Sequence, residues 1–256
     1  MYKDDWAEWH AGHERRRASP HGMLAITGMH WLEERPQRFD DVPGSWSVTA
    51  DGVSVTLREG ESLTVGDFEI SGTHAFGKVD EEGVIAAFGD AIAEIARRGS
   101  GVVLRPRHPS SQKLISYEGT PTFPPHERWL VPARFVPFAA PREVTLSTVV
   151  DGYTDADEAL GHVEFTLDGV PMKLIVFPGA PGAMTTLFTD ATSGVTTYPA
   201  SRRLPVPRPA ADGTLTLDFN RATNLPCAYT EFATCSLAPP ENRLPVAIEA
   251  GEQTPR

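Results

Sequence analysis

From Ser45 onward the chain alternates apolar and polar residues with a period of two, and glycine-bearing turns close almost every short run. The stretch "WSVTADGVSVTLREGESLTVGDFEIS" sets Trp46 and Val48, then Val53, Val55 and Leu57, then Leu63 and Val65, then Phe68 and Ile70 at alternate positions. Alternation of this kind puts every second side chain on one face of an extended strand and does not fit a helix of 3.6 residues per turn. The Asp-Gly, Glu-Gly and Gly-Asp pairs between the runs are hairpin signals. "GVIAAFG", "GVVLRPRH", "KLISYEG", "WLVPARFVPF", "REVTLSTVVDG", "HVEFTLDG", "VPMKLIVFPG", "MTTLF" and "VTTYP" continue the series. "AIAEIARRG" contains helix formers, but it is short, bounded by glycine and alternating, so it too reads as a strand. The expected fold is all-β, with mainly antiparallel sandwich or barrel-like sheets of about twelve or more strands. An α/β fold would need helices between the strands, and the sequence offers none there.

Before Ser45 the period is helical. Residues 3–17 predict a helix: Asp4 or Asp5 can cap it, Trp6, Trp9 and His13 share its spacing, and Arg15 to Arg17 suit its C-terminal end. "HGMLAITGMHWLEE" follows as a short helix or an irregular packed segment, and both Trp-bearing pieces are expected over one end of a sheet. The 256 residues suit one large β-rich unit, 1–256. A weak seam lies near 137–141, "PFAAP", between small Gly-rich hairpins in 1–137 and longer apolar strands in 142–256. With 23 prolines and 22 glycines and no collagen-like period, the chain must turn often, which again favours many short strands.

Charge and targeting signals narrow the function. A net charge of −11 opposes a nucleic acid partner, because the basic clusters "ERRRAS", "ARRGSG" and "RPRHP" are short and scattered. No apolar leader or membrane-spanning run is present, so the expected location is cytoplasmic and no membrane partner is expected. Cys227 and Cys235 are then expected as reduced thiols in a packed setting. A zinc site of four cysteines is excluded by count. No cofactor or metal is predicted, although a mixed site using histidines stays open. His10 and His13 lie on adjoining helix turns, a spacing that can share a metal but more often belongs to surface or packing residues. His30, in "GMHWL", is expected as a hydrogen-bonded packed histidine sooner than as a pocket residue. No nucleophile elbow, phosphate loop, zincin helix motif or dinucleotide fingerprint occurs.

The last segment, "LDFNRATNLPCAYTEFATCSLAPPENRLPVAIEAGE", gathers both cysteines with four prolines and three asparagines. Together with "LFTDATSGVTTYPASRRL" it resembles the C-terminal signature of a prokaryotic family catalogued as domain of unknown function 1684. Asp218, Asn220, Asn224, Cys227, Cys235, Asn242, Arg243 and Glu252 match that pattern. Leu225, Ser236, Ala238 and Ser201 depart from it, standing where the family usually has Pro, Pro, Pro and Gly. "GMLAITGMHWLEE" and "WLVPARF" resemble the family's opening and middle, so the resemblance spans most of the chain and is specific in its last quarter. It implies no activity that can be transferred.

Read as chemistry, Asp218 and Asn220 should share one strand face with Phe219 on the other. Leu225 is driven extended by the following proline. "DATSGVTTY" is explained by an Asx or Ser/Thr turn around Asp190. Glu252 is expected to pair with Arg243, Arg202 or Arg203. The preferred expectation is a small polar or anionic molecule bound by Arg202, Asp218, Asn220, Asn224 and Arg243, with Glu252 behind them. One alternative is a hydrolase using Asp218 or Glu252 as general base. A further alternative is a structural or interaction module in which the same groups form a satisfied polar latch.

Overall fold

A computed structural model describes residues 2–179 and 182–256. The chain forms two compact units. The first contains Arg15–Tyr117 and Thr230–Ala233; the second contains the chain up to Glu14, Glu118–Tyr229 and Thr234–Arg256. Helix α1, Tyr2–Arg17, carries acidic residues in its first turn and three arginines in its last, as the macrodipole favours.

The first unit holds β1 (His30–Trp31), β2 (Gln37–Phe39), β3 (Val42–Thr49), β4 (Gly52–Thr56), β5 (Leu63–Val65), β6 (Phe68–Ile70), β7 (Thr73–Gly77), β8 (Val84–Phe88), β9 (Ala91–Arg98) and β10 (Gly101–Arg107). They form a six-stranded sheet in the order β1-β10-β9-β8-β5-β6 and a four-stranded sheet in the order β2-β3-β4-β7. The alternation expected from Ser45 onward is realised: Trp46, Val53, Val55, Leu57 and Leu63 are buried in one core with Ile95 and Leu104. "AIAEIARR" is strand β9, paired with β8 and β10. Its Glu94 is buried, and Oε1 accepts from Arg98 Nη2 at 2.6 Å and Arg105 Nη2 at 2.7 Å while Oε2 pairs with Arg107. These arginines of "ARRGSG" and "RPRHP" thus serve an internal carboxylate. His30 Nε2 sits 2.8 Å from Asp41 Oδ1 and its ring stacks on Phe39 at 4.0 Å, the packed histidine expected.

Two local expectations change here. "HGMLAITGMHWLEE" yields a single 3-10 turn, Met23–Ala25, and then β1. "KLISYEG" begins in the short helix α2, Gln112–Ile115, instead of a strand. Ile115 is 64% exposed, so this segment has no buried face for a strand to present.

The second unit adds β11 (Leu130–Ser147), β12 (Thr154–Leu167), β13 (Val170–Pro178), β14 (Met184–Phe188), β15 (Arg202–Val206), β16 (Thr214–Asp218) and β17 (Thr223–Asn224). Their sheet runs β16-β11-β12-β13-β14-β15-β17, antiparallel at each pairing. "WLVPARFVPF" and "REVTLSTVVDG", read as two strands, are the two halves of β11. The pairing with β12 shifts register between Pro137 and Arg142, where Pro137 and Pro141 cannot donate to the ladder. Residues 137–141 are therefore a bulge inside one strand, and the two units divide elsewhere. Asp168 and Gly169, both at positive φ, form the two-residue turn that joins β12 to β13, as Asp-Gly hairpins require.

"VTTYP" is not a strand. Asp190 Oδ1 accepts from the backbone N–H of Thr192 at 2.7 Å and from its hydroxyl at 2.6 Å, and the N–H groups of Thr196 and Thr197 return to Thr192 O. These local bonds compete with a sheet ladder and win. The core of this unit collects Val163, Leu174, Val176, Phe188, Leu204, Leu217, Phe219 and Ile248. Among the described residues no helix is long and apolar enough to cross a membrane.

Candidate functional site

The polar residues of the C-terminal segment fall into three groups. In the first, β16 ends at Asp218 and residues Phe219–Arg221 turn as a 3-10 helix that Asp218 caps. Asp218 and Asn220 therefore do not share a strand face; Phe219 is fully buried in the core while both polar side chains turn to α1. Asp218 Oδ1 accepts from Tyr2 Oη at 2.8 Å and Asn220 Nδ2 at 3.0 Å, and Oδ2 accepts from Arg221 Nε at 3.1 Å. Asn220 also donates to His126 O and accepts from His126 N, and its own carbonyl accepts from Trp6 Nε1 at 2.9 Å. Burial, then the Asp218 carboxylate, pushes the Tyr2 phenol pKa upward. This group is a clasp that docks α1.

The second group surrounds Arg202, which is fully buried in β15. Its Nη2 donates to Asp190 Oδ2 at 2.7 Å and to Ile248 O at 3.0 Å, and its Nη1 donates to Ala250 O. The guanidinium also lies over the Phe188 ring at 5.0 Å. Burial lowers the arginine's pKa, and Asp190 opposes that shift by favouring the charged form. The ion-pair partner of Arg202 is thus Asp190, with Glu252 a lesser electrostatic contribution to keeping the guanidinium charged, and the arginine ties down the backbone of residues 248–252. Asn242 does similar work, donating to Ile175 O, Thr186 Oγ1 and Leu187 O and accepting from Ile175 N. Arg243 is exposed and contributes a backbone bridge to Thr189. The expected set of Arg202, Asp218, Asn220, Asn224 and Arg243 is therefore divided among separate tasks.

The third group forms around Glu252, only 1% exposed. Gly251 enables the approach: at φ +74° it sits where a Cβ would meet Ala222 O at 2.4 Å and Ala222 Cβ at 2.8 Å. Glu252 N then donates to Ala222 O, and Gly251 O accepts from Phe123 N. The carboxylate so placed accepts from Asn224 N at 2.6 Å and Tyr229 Oη at 3.3 Å. Tyr229 Oη also meets Thr120 Oγ1 at 2.8 Å. Asn224 follows from β17 pairing with β15, and Leu225 beyond it is extended, as its proline neighbour demands.

α1 completes the cluster. His10, His13 and Glu14 stand three and four residues apart, on one helix face. His13 Nε2 lies 3.6 Å from Glu252 Oε1. Glu14 Oε2 accepts from Thr120 N at 3.2 Å. Trp6 stacks on His10 at 4.9 Å and Trp9 on His13 at 5.6 Å, fixing both rings. Ligand atoms of His10, Glu14 and Glu252 lie within 4.8 Å of one another. His10 Nε2 and Asn224 Oδ1 are buried and meet no hydrogen-bond partner among the described residues. Sequence reasoning weighed the His10–His13 pair and Glu252 separately; Glu14, Thr120 and Tyr229 went unnoticed. The i, i+3, i+4 spacing of "HAGHE" was the available signal.

Two further features lie outside these groups. Cys227 N donates to Cys235 Sγ at 3.4 Å, so the two cysteines are neighbours and remain thiols. The hydrogen bond with Cys235, then burial, pushes the Cys227 thiol pKa upward, which opposes a nucleophilic role. Two concavities lie elsewhere. One of about 840 Å³ crosses β11 to β13 between Arg134, Glu164 and Lys173. One of about 960 Å³ in the first unit lies among Arg38, Asp41, Glu61 and His108. Neither is lined by Glu252 or by any of the five residues expected to bind a ligand.

No curated protein matches the chain. Among solved structures it is similar to the solution NMR structure of an uncharacterised protein of Haloarcula marismortui, with 31% identity over 55% of this chain and 78% of that chain and a TM-score of 0.46. The family described as "Protein of unknown function (DUF1684)" matches residues 115–253. The match reaches well beyond the last quarter and does not include "GMLAITGMHWLEE". With just over half its length matched, from α2 to the glutamate that closes the site, the chain belongs to this family.

Proposed function

We propose that the protein binds a small molecule bearing hydrogen-bond donors or positive charge at the cluster of His10, His13, Glu14, Thr120, Asn224, Tyr229 and Glu252. One observation carries the reading: His10 Nε2 and Asn224 Oδ1, both buried polar atoms, lack partners beside a buried carboxylate. Buried polar atoms are seldom left unsatisfied, and such groups point to a missing partner. The cluster is rich in acceptors, with two carboxylates and an amide oxygen, so it disfavours the anion expected from the arginines. Arg202 already serves Asp190 and three backbone carbonyls. Thermal shift against a panel of amines, amino alcohols and polyols tests the reading. A stabilising compound should lose its effect in Glu252→Gln, whose amide oxygen can still accept the Asn224 N–H bond. Compounds acting equally on the wild type and this variant would refute it.

A hydrolytic use of the same carboxylate is the second reading, favoured by the 3.6 Å approach of His13 Nε2 to Glu252 Oε1. Asp218 does not enter it, because both its oxygens are engaged by Tyr2, Asn220 and Arg221. Ester hydrolysis that survives in folded Glu252→Gln would remove this second reading.

A further inference from the structure

We infer that His10, Glu14 and Glu252 form a binding site for a single first-row divalent cation of the zinc type. The proposal rests on the binding reading above and names its ligand class. His10 and Glu14 are one helical turn apart on α1, and the stacked Trp6 ring holds the imidazole in place. Glu252 arrives from the opposite end of the chain on a backbone held by Gly251 and by the Glu252 N–Ala222 O bond. The three ligand atoms fall within 4.8 Å of one another. Donors about 2.0–2.2 Å from a tetrahedral zinc stand about 3.3–3.6 Å apart, so closing the trio takes up to about 1.5 Å of side-chain movement.

Three chemical features agree with this assignment. His10 Nε2 is a buried ring nitrogen with no hydrogen-bond partner among the described residues, a lone pair open to a metal. Two carboxylates lie close together with Glu252 almost fully buried, and a dication between them replaces mutual repulsion with attraction. The surroundings orient the ligands: Thr120 N holds Glu14, while Asn224 N and Tyr229 Oη hold Glu252. A mixed set of one imidazole and two carboxylates suits zinc and its neighbours better than calcium or magnesium, which prefer oxygen ligands throughout.

The test uses the full chain treated with chelator and dialysed. Zn²⁺ and Co²⁺ are titrated by calorimetry, with Co²⁺ also followed by visible absorption. One equivalent should bind, and His10→Ala and Glu14→Gln should each weaken binding at least tenfold while keeping wild-type circular dichroism. His162→Ala, on β12, should bind as wild type does. Absence of saturable binding, or unchanged binding in both ligand variants, overturns the proposal. Running the amine and polyol panel with chelator present separates the two readings. A Glu252-dependent thermal shift there, without metal binding, leaves the organic-ligand reading standing and removes the metal. Loss of both responses removes both.

Discussion

At the scale of single residues, the most consequential side chain is a cation enclosed in the core of the second unit. Arg202 is a fully buried cation whose counter-ion, Asp190, is buried with it. Charges withdrawn from water in this way are tolerated only when paired and hydrogen-bonded, and Arg202 has its acid and the backbone carbonyls of Ile248 and Ala250. Asp190 serves twice, since Oδ1 also organises the Thr192 turn and accepts from Ile248 N at 3.2 Å. Removing the acid leaves the guanidinium uncompensated. Asp190→Ala is therefore expected to lower stability by about 3–5 kcal/mol, measured by urea unfolding. Asp190→Asn, which keeps the turn's acceptor but not the charge, should cost less. Equal costs for the two variants would assign the effect to the lost charge alone, and a negligible cost for Asp190→Asn would assign it to the turn.

At the scale of elements, β9 shows how a sheet can absorb a buried acid. Glu94 meets Arg98, Arg105 and Arg107 from its own strand and from β10. Burial raises its pKa, but Arg105 and Arg107 outweigh burial and hold the carboxyl below its ordinary value. A depressed folded-state pKa contributes stability that is present above the unfolded carboxylate value, about 4.3, and is lost as pH falls through the folded value. The unfolding free energy should accordingly decline between about pH 5 and the folded pKa. Glu94→Gln should flatten that decline while lowering stability at pH 7, because three arginines lose their charge partner. Retention of the full acid slope in the variant would assign it to other carboxylates. The strand itself was legible from alternation and bounding glycines, even though Ala, Glu and Arg favour helix, because the buried face decided. The partners of Glu94 were not legible, since cross-strand neighbours depend on register and not on local spacing. "VTTYP" misled for a local reason: its β-branched residues favour a strand, but the turn that "DATSGVTTY" signals around Asp190 runs on through Thr197 and takes up the N–H groups a ladder would need.

At the scale of the whole molecule, the chain's two ends meet in the second unit. Tyr2, Trp6, His13 and Glu14 of α1 contact Asp218, Asn220, Glu252 and Thr120 directly. The crowding of polar and stiff residues in the last segment pointed to a polar cluster there, but not to its closure against α1, because contacts between residues more than two hundred positions apart leave no local pattern. The assignment of tasks within that segment was not visible, since Arg202 and Glu252 could be told apart only by burial and partner geometry. The arrangement makes the final residues structural despite their terminal position. Ala250 O and Glu252 O accept from Arg202, Gly251 O accepts from Phe123, and the Glu252 side chain accepts from Asn224. Deleting residues 250–256 strips acceptors from the buried guanidinium and leaves Asn224 N–H without its carboxylate. A loss above about 3 kcal/mol is expected, with hydrogen exchange accelerated in β14, β15 and β17. Deleting only Pro255, half-buried, and Arg256, exposed, removes none of these bonds and should change stability by no more than about 0.5 kcal/mol. Comparable effects from the two truncations would mean that the closing bonds around Glu252 contribute nothing, and the latch that holds the site together would fall with them.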